Sequence, residues 1–485
     1  MLKFPTNWKS SKIVPIHKKD DILNPANYRP IAIIPVVSKF LEKAIYIQIF
    51  RYLEDNKLIH PSHHAYRPGH NTTTALLQMC DSWIEALESG QMAGVCLLDM
   101  SAAFDTVDFD LLLKKLTIYG FREDVISWFR SYLEDRKQCV SINGALSKFF
   151  RVNSGVPRGS ILGPLLYTLY TNELPEVIHA GLNNSRTGQE KTSNICCFAD
   201  DTTLSSRHSD HTELTKQLTE QYGRISEFMT DNGLKLYGDK CHLIVITSNQ
   251  ARKKSQSANL VHLKTELKII KPSSCQKLLG CYLQDDLKWT QYLRDNQDSL
   301  LKSLNCRVNA IKKLSKAADF KTRRVIGDGI FFSKLSYVIT VWSSCSNELL
   351  NALQVVQNKA ARTITRNSWE IGTRENLKQI DWLSVYQLSF YHTVLTAHQV
   401  KNKGQPEYLC GVYQWDYSYY TRQAREGHLK PIGIPRLEIA KKSFRWRASN
   451  FYNSLPSRIL EINIKEDFKR EVRSWILENV PIRVC

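Results

Sequence analysis

The chain has 485 residues, 42% hydrophobic and 23% charged, with a formal net charge of +19. It is long enough for two or three domains around a well-buried core, and its composition excludes a disordered tail or a fibrous repeat. Its longest unbroken apolar stretch, Ile31–Val37, is too short to span a bilayer, and nothing after Met1 has the apolar length of a secretory signal. The twelve cysteines form no C-x-x-C pair, which points to reduced thiols of an intracellular protein, nuclear or cytoplasmic, with no membrane partner. Residues 301–485 hold 30 basic and 15 acidic side chains, whereas residues 1–300 hold 36 and 32. A basic lobe beside a carboxylate-bearing centre predicts a bound polyanion.

Prolines at 5, 15, 25, 30 and 35 predict an extended or turning N-terminal stretch. A helical pattern follows at Val37–Leu53, and the short apolar block Ala93–Met100 reads as a buried strand ending in an acid. Asp110–Tyr119 and Val125–Leu133 read as helices. Gln138–Ile142 and Phe149–Val152 read as strands joined by a turn at Asn143-Gly144. A helix is expected at Gly163–Leu174, a polar loop at Pro175–Lys191, and a second buried strand at Ile195–Ala199. Strands and helices interleave in this α+β centre. From about residue 295 the pattern becomes helical and basic, so two regions are expected, 1–290 and 291–485.

Asp99 follows the apolar run VCLL, and Asp200-Asp201 follow ICCFA. A buried aspartate costs several kcal/mol, in order of magnitude, unless it is paired or binds a cation. Three carboxylates converging from neighbouring strands suit two hard divalent cations, which prefer oxygen ligands and support in-line phosphoryl displacement. Taken singly, an Asp-Asp pair more often caps a helix or a turn than binds a metal.

The surrounding residues narrow the choice. LLDMSAAFDTVD (97–108), SGVPRGSILGPLLYTLYTNELP (154–175) and CFADDTTL (197–204), in that order, resemble motifs A, B and C of reverse transcriptases. NYRPIAIIPVVSKFLEK and AYRPGHNTTTALL are similar to the fingers segment of the Jockey-like group of non-LTR (LINE-type) retrotransposons. LKLYGDKCHLIV (234–245) and LLGCYLQDDLKW (278–289) resemble its motif D and primer-grip segment, the latter carrying Leu279 and Gly280.

The resemblance implies a right-hand polymerase: fingers and palm through residue 290, then a helical thumb and basic C-terminal region. It implies template-directed addition of dNTPs to a DNA primer on an RNA template, with two Mg²⁺ ions, or Mn²⁺, as cofactor. Asp99, Asp200 and Asp201 match the metal ligands, and the carbonyl of Met100 the position completing one shell. Phe104 matches the aromatic that meets the incoming sugar and rejects a ribose 2′-OH; core packing is its plainer reading. Arg29 and Arg67 match fingers residues reaching the triphosphate, and Lys240 the lysine serving the departing pyrophosphate. Gly155, Gly159 and Gly163 match the loop that approaches the template–primer pair. Arg158 stands in that loop where the family usually has Gln, facing the templating base pair with added charge and bulk. The family's polymerase normally follows an endonuclease domain, so strand nicking is expected to be absent from this chain. The competing reading is a catalytically decayed remnant that still binds nucleic acid.

Two further clusters are read as packing or surface. His60, His63, His64 and His70 lack partner ligands at zinc-finger spacing and read as a polar loop. YQWDYSYYTR (413–422) reads as an aromatic packing surface or a base-stacking one.

Overall fold

The computed structural model describes residues 3–18, 21–100, 104–178, 193–248, 257–413 and 427–482. Strands β1 (Ser10–His17) and β2 (Tyr28–Ile33) pair antiparallel with Pro15 directly opposite Pro30. Neither proline has an N–H to donate, so the two share a position where the ladder needs none. The proline-rich start is thus extended, as expected. Helix α1 (Val36–Asp55) follows, then α2 (Thr72–Glu88), begun by a reciprocal capping box between Asn71 and Thr74. Strand β3 (Met92–Asp99) leads to α3 (Phe109–Ile118) and α4 (Glu123–Leu133). Strands β4 (Lys137–Ile142), β5 (Ala145–Leu146) and β6 (Phe150–Arg151) come next, with β4 and β5 joined through Asn143-Gly144, both at positive φ. That is the two-residue turn an Asn-Gly pair favours. β1 lies between β2 and β4 and runs parallel to β4, giving a five-stranded sheet.

Helix α5 (Leu162–Tyr170) precedes the hairpin β7 (Ser193–Phe198) and β8 (Asp201–His208), then α6 (His211–Asp231) and β9 (His242–Ile246). Together with β3 these strands form a second, wholly antiparallel sheet in the order β7-β8-β3-β9. Side chains alternate across it. Met92, Cys96, Leu98, Ile195, Cys197, Leu243 and Val245 enter a core shared with helices α3 to α6. Ala93, Val95, Cys196, Ile244 and Ile246 face the opposite way, into a core that contains α2 and the C-terminal helices. Of the loop expected at 175–191, residues 179–191 lie outside the described residues, as does the aromatic segment beyond Tyr413.

A hairpin, β10 (Cys275–Leu278) and β11 (Cys281–Gln284), turns at Leu279-Gly280 and rests against Tyr337, whose hydroxyl donates to the Leu279 carbonyl at 2.8 Å. The helical region includes α7 (Leu300–Ser315), α8 (Asn347–Thr365), α9 (Val385–Lys403), α10 (Phe444–Asn453) and α11 (Lys465–Asn479). Residues on both sides of position 290 share one core. Several of the basic groups here are internal: Arg323 donates to the carbonyls of Ile364 and Ala318, and Arg447 to those of Lys442 and Thr340. The C-terminal charge excess is therefore not all a surface for a polyanion. Among the described residues, no helix is long and apolar enough to cross a membrane.

One buried acid ties the two regions. Asp81 of α2 is 3% exposed and accepts from the backbone N–H of Phe444 (2.9 Å) and Arg445 (3.1 Å), at the start of α10. A carboxylate at a helix N-terminus satisfies free donors and meets the positive end of the helix dipole. Asp81→Ala leaves two buried donors unpaired and is expected to lower the unfolding free energy by about 2–4 kcal/mol in urea titrations at pH 7. Asp81→Asn keeps an acceptor and should cost less. Equal stability of all three proteins would show that this cap does not hold α2 to α10.

Candidate active site

The hairpin register decides where the acids meet. β3 pairs with β8 so that Asp99 stands directly opposite Asp201, and Phe198 opposes Asp201 from the other side. Asp200 occupies the two-residue turn between β7 and β8, behind Ala199 at φ +57°. A non-glycine residue in that region is strained, and the tight turn is what puts Asp200 beside the strand ends. All three aspartates are exposed at one end of the sheet.

Like charges at this spacing disturb one another. The Asp201 carboxyl is pushed up to about 6: protein on both sides displaces water although the residue is open to solvent, and Asp200 and Asp99 repel its charge. Arg29 opposes this shift, which places a fingers guanidinium within electrostatic reach of the acids. Lys240, in a short turn before β9, holds its ammonium 3.9 Å from Asp99 and over the ring of Tyr237. Met100 bridges to Leu236, and its sulfur receives the Tyr167 hydroxyl. Among the described residues, no three His, Cys, Asp or Glu side chains are already gathered as a metal-holding cluster. The acids form an open, mutually repelling group of hard oxygen donors, and that donor chemistry fits Mg²⁺ or Mn²⁺.

Beside the acids lies the 154–163 loop. Gly155 sits at φ +87°, and a Cβ there would come within 2.7 Å of the Asp105 backbone; at Gly159, φ +108°, it would meet the Ala32 carbonyl at 2.5 Å. A Cβ on Gly163 would strike Ser160 and Pro157 within the loop itself. These glycines are required by the loop's close seat on its own chain. The seat is held by backbone bonds from Gly155 to Val107, from Val156 to Phe104 and from Ala32 to Arg158. Glu42 of α1, fully buried, accepts from the N–H of Ile161 (2.7 Å) and Leu162 (3.3 Å) and so caps α5 just after the loop.

Arg158 does not stand free. Its guanidinium binds both oxygens of Asp105, at 3.1 and 2.8 Å, and lies 5.9 Å from the centre of the Phe104 ring. Phe104 stacks on Tyr167 at 4.5 Å, so it is held between that ring and the guanidinium. Sequence reasoning passed over Asp105, Tyr167 and Glu42; for Asp105 a signal existed, an acid next to Phe104 in a chain with an uncommon arginine.

Other expected site residues fall elsewhere. Arg67 is bound to Glu54 at 3.0 Å and to the carbonyls of His60 and His63, with its side chain 12% exposed. It braces its own loop and is not free to clamp a phosphate. His63 and His64 are buried, contrary to a polar loop, because this segment adds to the edge of the second sheet: His63 bridges Cys197, and the His64 N–H donates to its carbonyl. Burial holds both imidazoles neutral, down to about 3. Leu279 and Gly280 form the β10–β11 turn and dock on Tyr337.

Residues 16–283, more than half of the chain, match the family described as reverse transcriptase (RNA-dependent DNA polymerase), and the chain belongs to it. The fold is accordingly a right-hand polymerase of α+β class. Among its relatives, the probable RNA-directed DNA polymerase from transposon X-element of Drosophila melanogaster is 26% identical over 404 residues, covering 82% of this chain and 42% of its own length. The RNA-directed DNA polymerase from mobile element jockey of the same species is 24% identical over 388 residues, covering 77% and 39%. The chain thus spans about two fifths of these curated relatives. These relatives agree with the Jockey-like, non-LTR resemblance of the motifs. Apo telomerase from Candida tropicalis aligns over 77% of this chain and 61% of its own at 13% identity, with a TM-score of 0.41.

The acid cluster carries a stability signature. Asp201 titrates near 6 when folded against an ordinary 3.8, so the folded state binds this proton more tightly. Its contribution to stability is full below about pH 4 and is lost as pH rises through 6. With chelator present, Asp201→Asn is therefore expected to stabilise the protein at pH 7.5, by no more than about 1 kcal/mol given its exposure, and not at pH 4. Urea unfolding at the two pH values measures this, and a gain that is the same at both would contradict it.

Proposed function

We propose that the chain is the catalytic part of an RNA-directed DNA polymerase, joining dNTPs to a DNA primer 3′-OH on an RNA template. The carrying observation is the cross-strand pairing of Asp99 with Asp201, with Asp200 in the turn between β7 and β8. Asp99, Asp200 and Asp201, with the Met100 carbonyl, would hold two Mg²⁺ ions, for which Mn²⁺ is a substitute. Held there, such cations would supply Lewis acidity toward a hydroxyl and a phosphate.

The protein's own groups do the rest. Arg29, exposed and electrostatically coupled to Asp201, reaches the triphosphate and offsets its charge. Lys240, near Asp99, supplies a proton donor on the side where pyrophosphate departs. Phe104, fixed between Tyr167 and Arg158, presents a rigid wall to the sugar and excludes a 2′-OH. The loop bearing Gly155, Gly159 and Gly163 adjoins Phe104 and supports the newly formed pair, and the Leu279-Gly280 turn supports the primer end. Alignment of this kind carries much of the rate enhancement in phosphoryl transfer. The decayed-remnant alternative is not favoured, since Asp99 and Asp201 stand in register, Asp200 lies in the adjoining turn, and Arg158 has a local partner.

On poly(rA)/oligo(dT) with Mg²⁺, Asp200→Asn is expected to lower primer extension by about 100-fold or more while template affinity stays within about twofold. Extension equal to the parent's would refute the assignment of the acids. For Phe104→Val, the ratio of ribonucleotide to deoxyribonucleotide incorporation should rise with dNTP turnover largely retained. A parallel fall in both, with a lower melting temperature, would make Phe104 a packing residue only.

A further inference from the structure

We propose that Asp105 and Arg158 are positioning residues that latch the Phe104 ring against Tyr167 and so set how strongly the site rejects a ribose. The proposal rests on the polymerase reading and deepens it: the wall that meets the sugar is held by an ion pair as well as by packing. The two flanks of Phe104 differ in kind. On one, its ring stacks on Tyr167 at 4.5 Å, and Tyr167 is buried, with its hydroxyl donated to the Met100 sulfur at 3.4 Å. That support cannot shift without opening the core that α5 shares with β3. Phe104 itself is half-buried at the edge of the same core. A ring backed on one face alone has other staggered positions open to it at little cost.

Stacking at 4.5 Å leaves no room for a guanidinium on the Tyr167 face, so Arg158, lying over the ring 5.9 Å from its centre, covers the other. At that distance the attraction between cation and ring is near its outer limit. It does not by itself overcome the entropy of ordering a long arginine side chain. Asp105 supplies the restraint. The Arg158 Nε donates to one carboxylate oxygen at 3.1 Å and Nη2 to the other at 2.8 Å, the two-bond geometry in which a carboxylate fits a guanidinium. Asp105 is fixed in turn: it follows Phe104 directly, and its carbonyl accepts from the Ser154 hydroxyl at 3.0 Å. An acid at this position presents an acceptor to each nitrogen, whereas an amide presents one oxygen only. With side chains 23% and 46% exposed the pair is partly open to water, and its bidentate geometry lifts it above an ordinary surface ion pair. Each charge is satisfied by the other, so the pair adds little attraction for a nucleotide's phosphates. Its effect falls on the sugar, through the ring.

The test uses the full chain on a primer–template whose primer ends in a dideoxynucleotide, so that the next nucleotide binds without being joined. Affinities for the matching dNTP and rNTP are read from a fluorescent base in the template. Asp105→Asn and Arg158→Gln are each expected to bring the two affinities closer by about threefold or more, with dNTP affinity within about twofold of the parent's. Both side chains are partly exposed and neither change adds bulk, so folding is not expected to be disturbed. The double variant should lose no more than either single one, since both remove the same contact. With Phe104→Val in place, neither change should alter the ratio further. An unchanged ratio in both single variants, additive losses in the double, or an effect that survives Phe104→Val would overturn the proposal. So would an equal change for both nucleotides, which would show Arg158 meeting phosphate instead. Extension of an unblocked primer is read separately. A parent that discriminates in the blocked complex but extends nothing sinks the polymerase reading and leaves the latch standing, and one that binds both sugars alike overturns the latch whatever it extends.

Discussion

The structure depends on a repulsion. The register of β3 against β8 sets Asp99 beside Asp201, and the tight β7–β8 turn brings Asp200 to the same end. No apolar packing favours three acids there, and Asp201 answers by holding its proton to about 6. The sheet tolerates this because its two faces are buried in separate cores, one under α3 to α6 and one under α2 and the C-terminal helices. Hydrophobic burial along β3 thus fixes a register whose last pair is unfavourable while both acids are charged.

The loop beside the acids is positioned by groups from distant parts of the chain. Asp105 and Val107 hold one side, Ala32 of the first sheet another, and Glu42 of α1 caps the helix that follows. Each contact leaves little slack: a Cβ at Gly155 or Gly159 would collide with backbone, which cannot swing aside as a side chain can. The first sheet, α1 and the second sheet are therefore coupled through one short loop. Ala32 is linked to Phe104 through Arg158, and Glu42 bonds the backbone that follows the same loop.

Much of this was legible in the sequence. The apolar runs ending in acids, the Asn143-Gly144 turn and the helices around Val37–Leu53 and Asp110–Tyr119 follow from local pattern, and each stands within a few residues of its expected place. What local pattern does not contain is partnership over distance. Glu42 and Asp81 look like ordinary helical acids, yet their partners lie 119 and 363 residues away, and burial follows only once those partners are present. Arg67 was expected at the triphosphate from its match to the fingers motif, but Glu54 and two carbonyls occupy it. The histidines look polar in a stretch without periodicity, but backbone pairing to Cys197 draws them under the sheet edge. The C-terminal arginines looked like surface charge, whereas Arg323 and Arg447 satisfy carbonyls in the interior.

Arg158 shows the same distinction within the site. Judged as a lone change, a guanidinium where a neutral amide is usual adds a charge beside a developing base pair, and that argues for decay. Its surroundings alter the account. Asp105 meets it with two short bonds, and Phe104 offers a π-face at the distance where a cation is attracted. Burial pushes the Asp105 carboxyl upward and Arg158 pulls it back, so the pair holds its charges on each other and not on the nucleic acid. An arginine paired in this way with Asp105, outside its own loop, is fixed in place beside the Phe104 ring. The surroundings therefore accommodate the arginine.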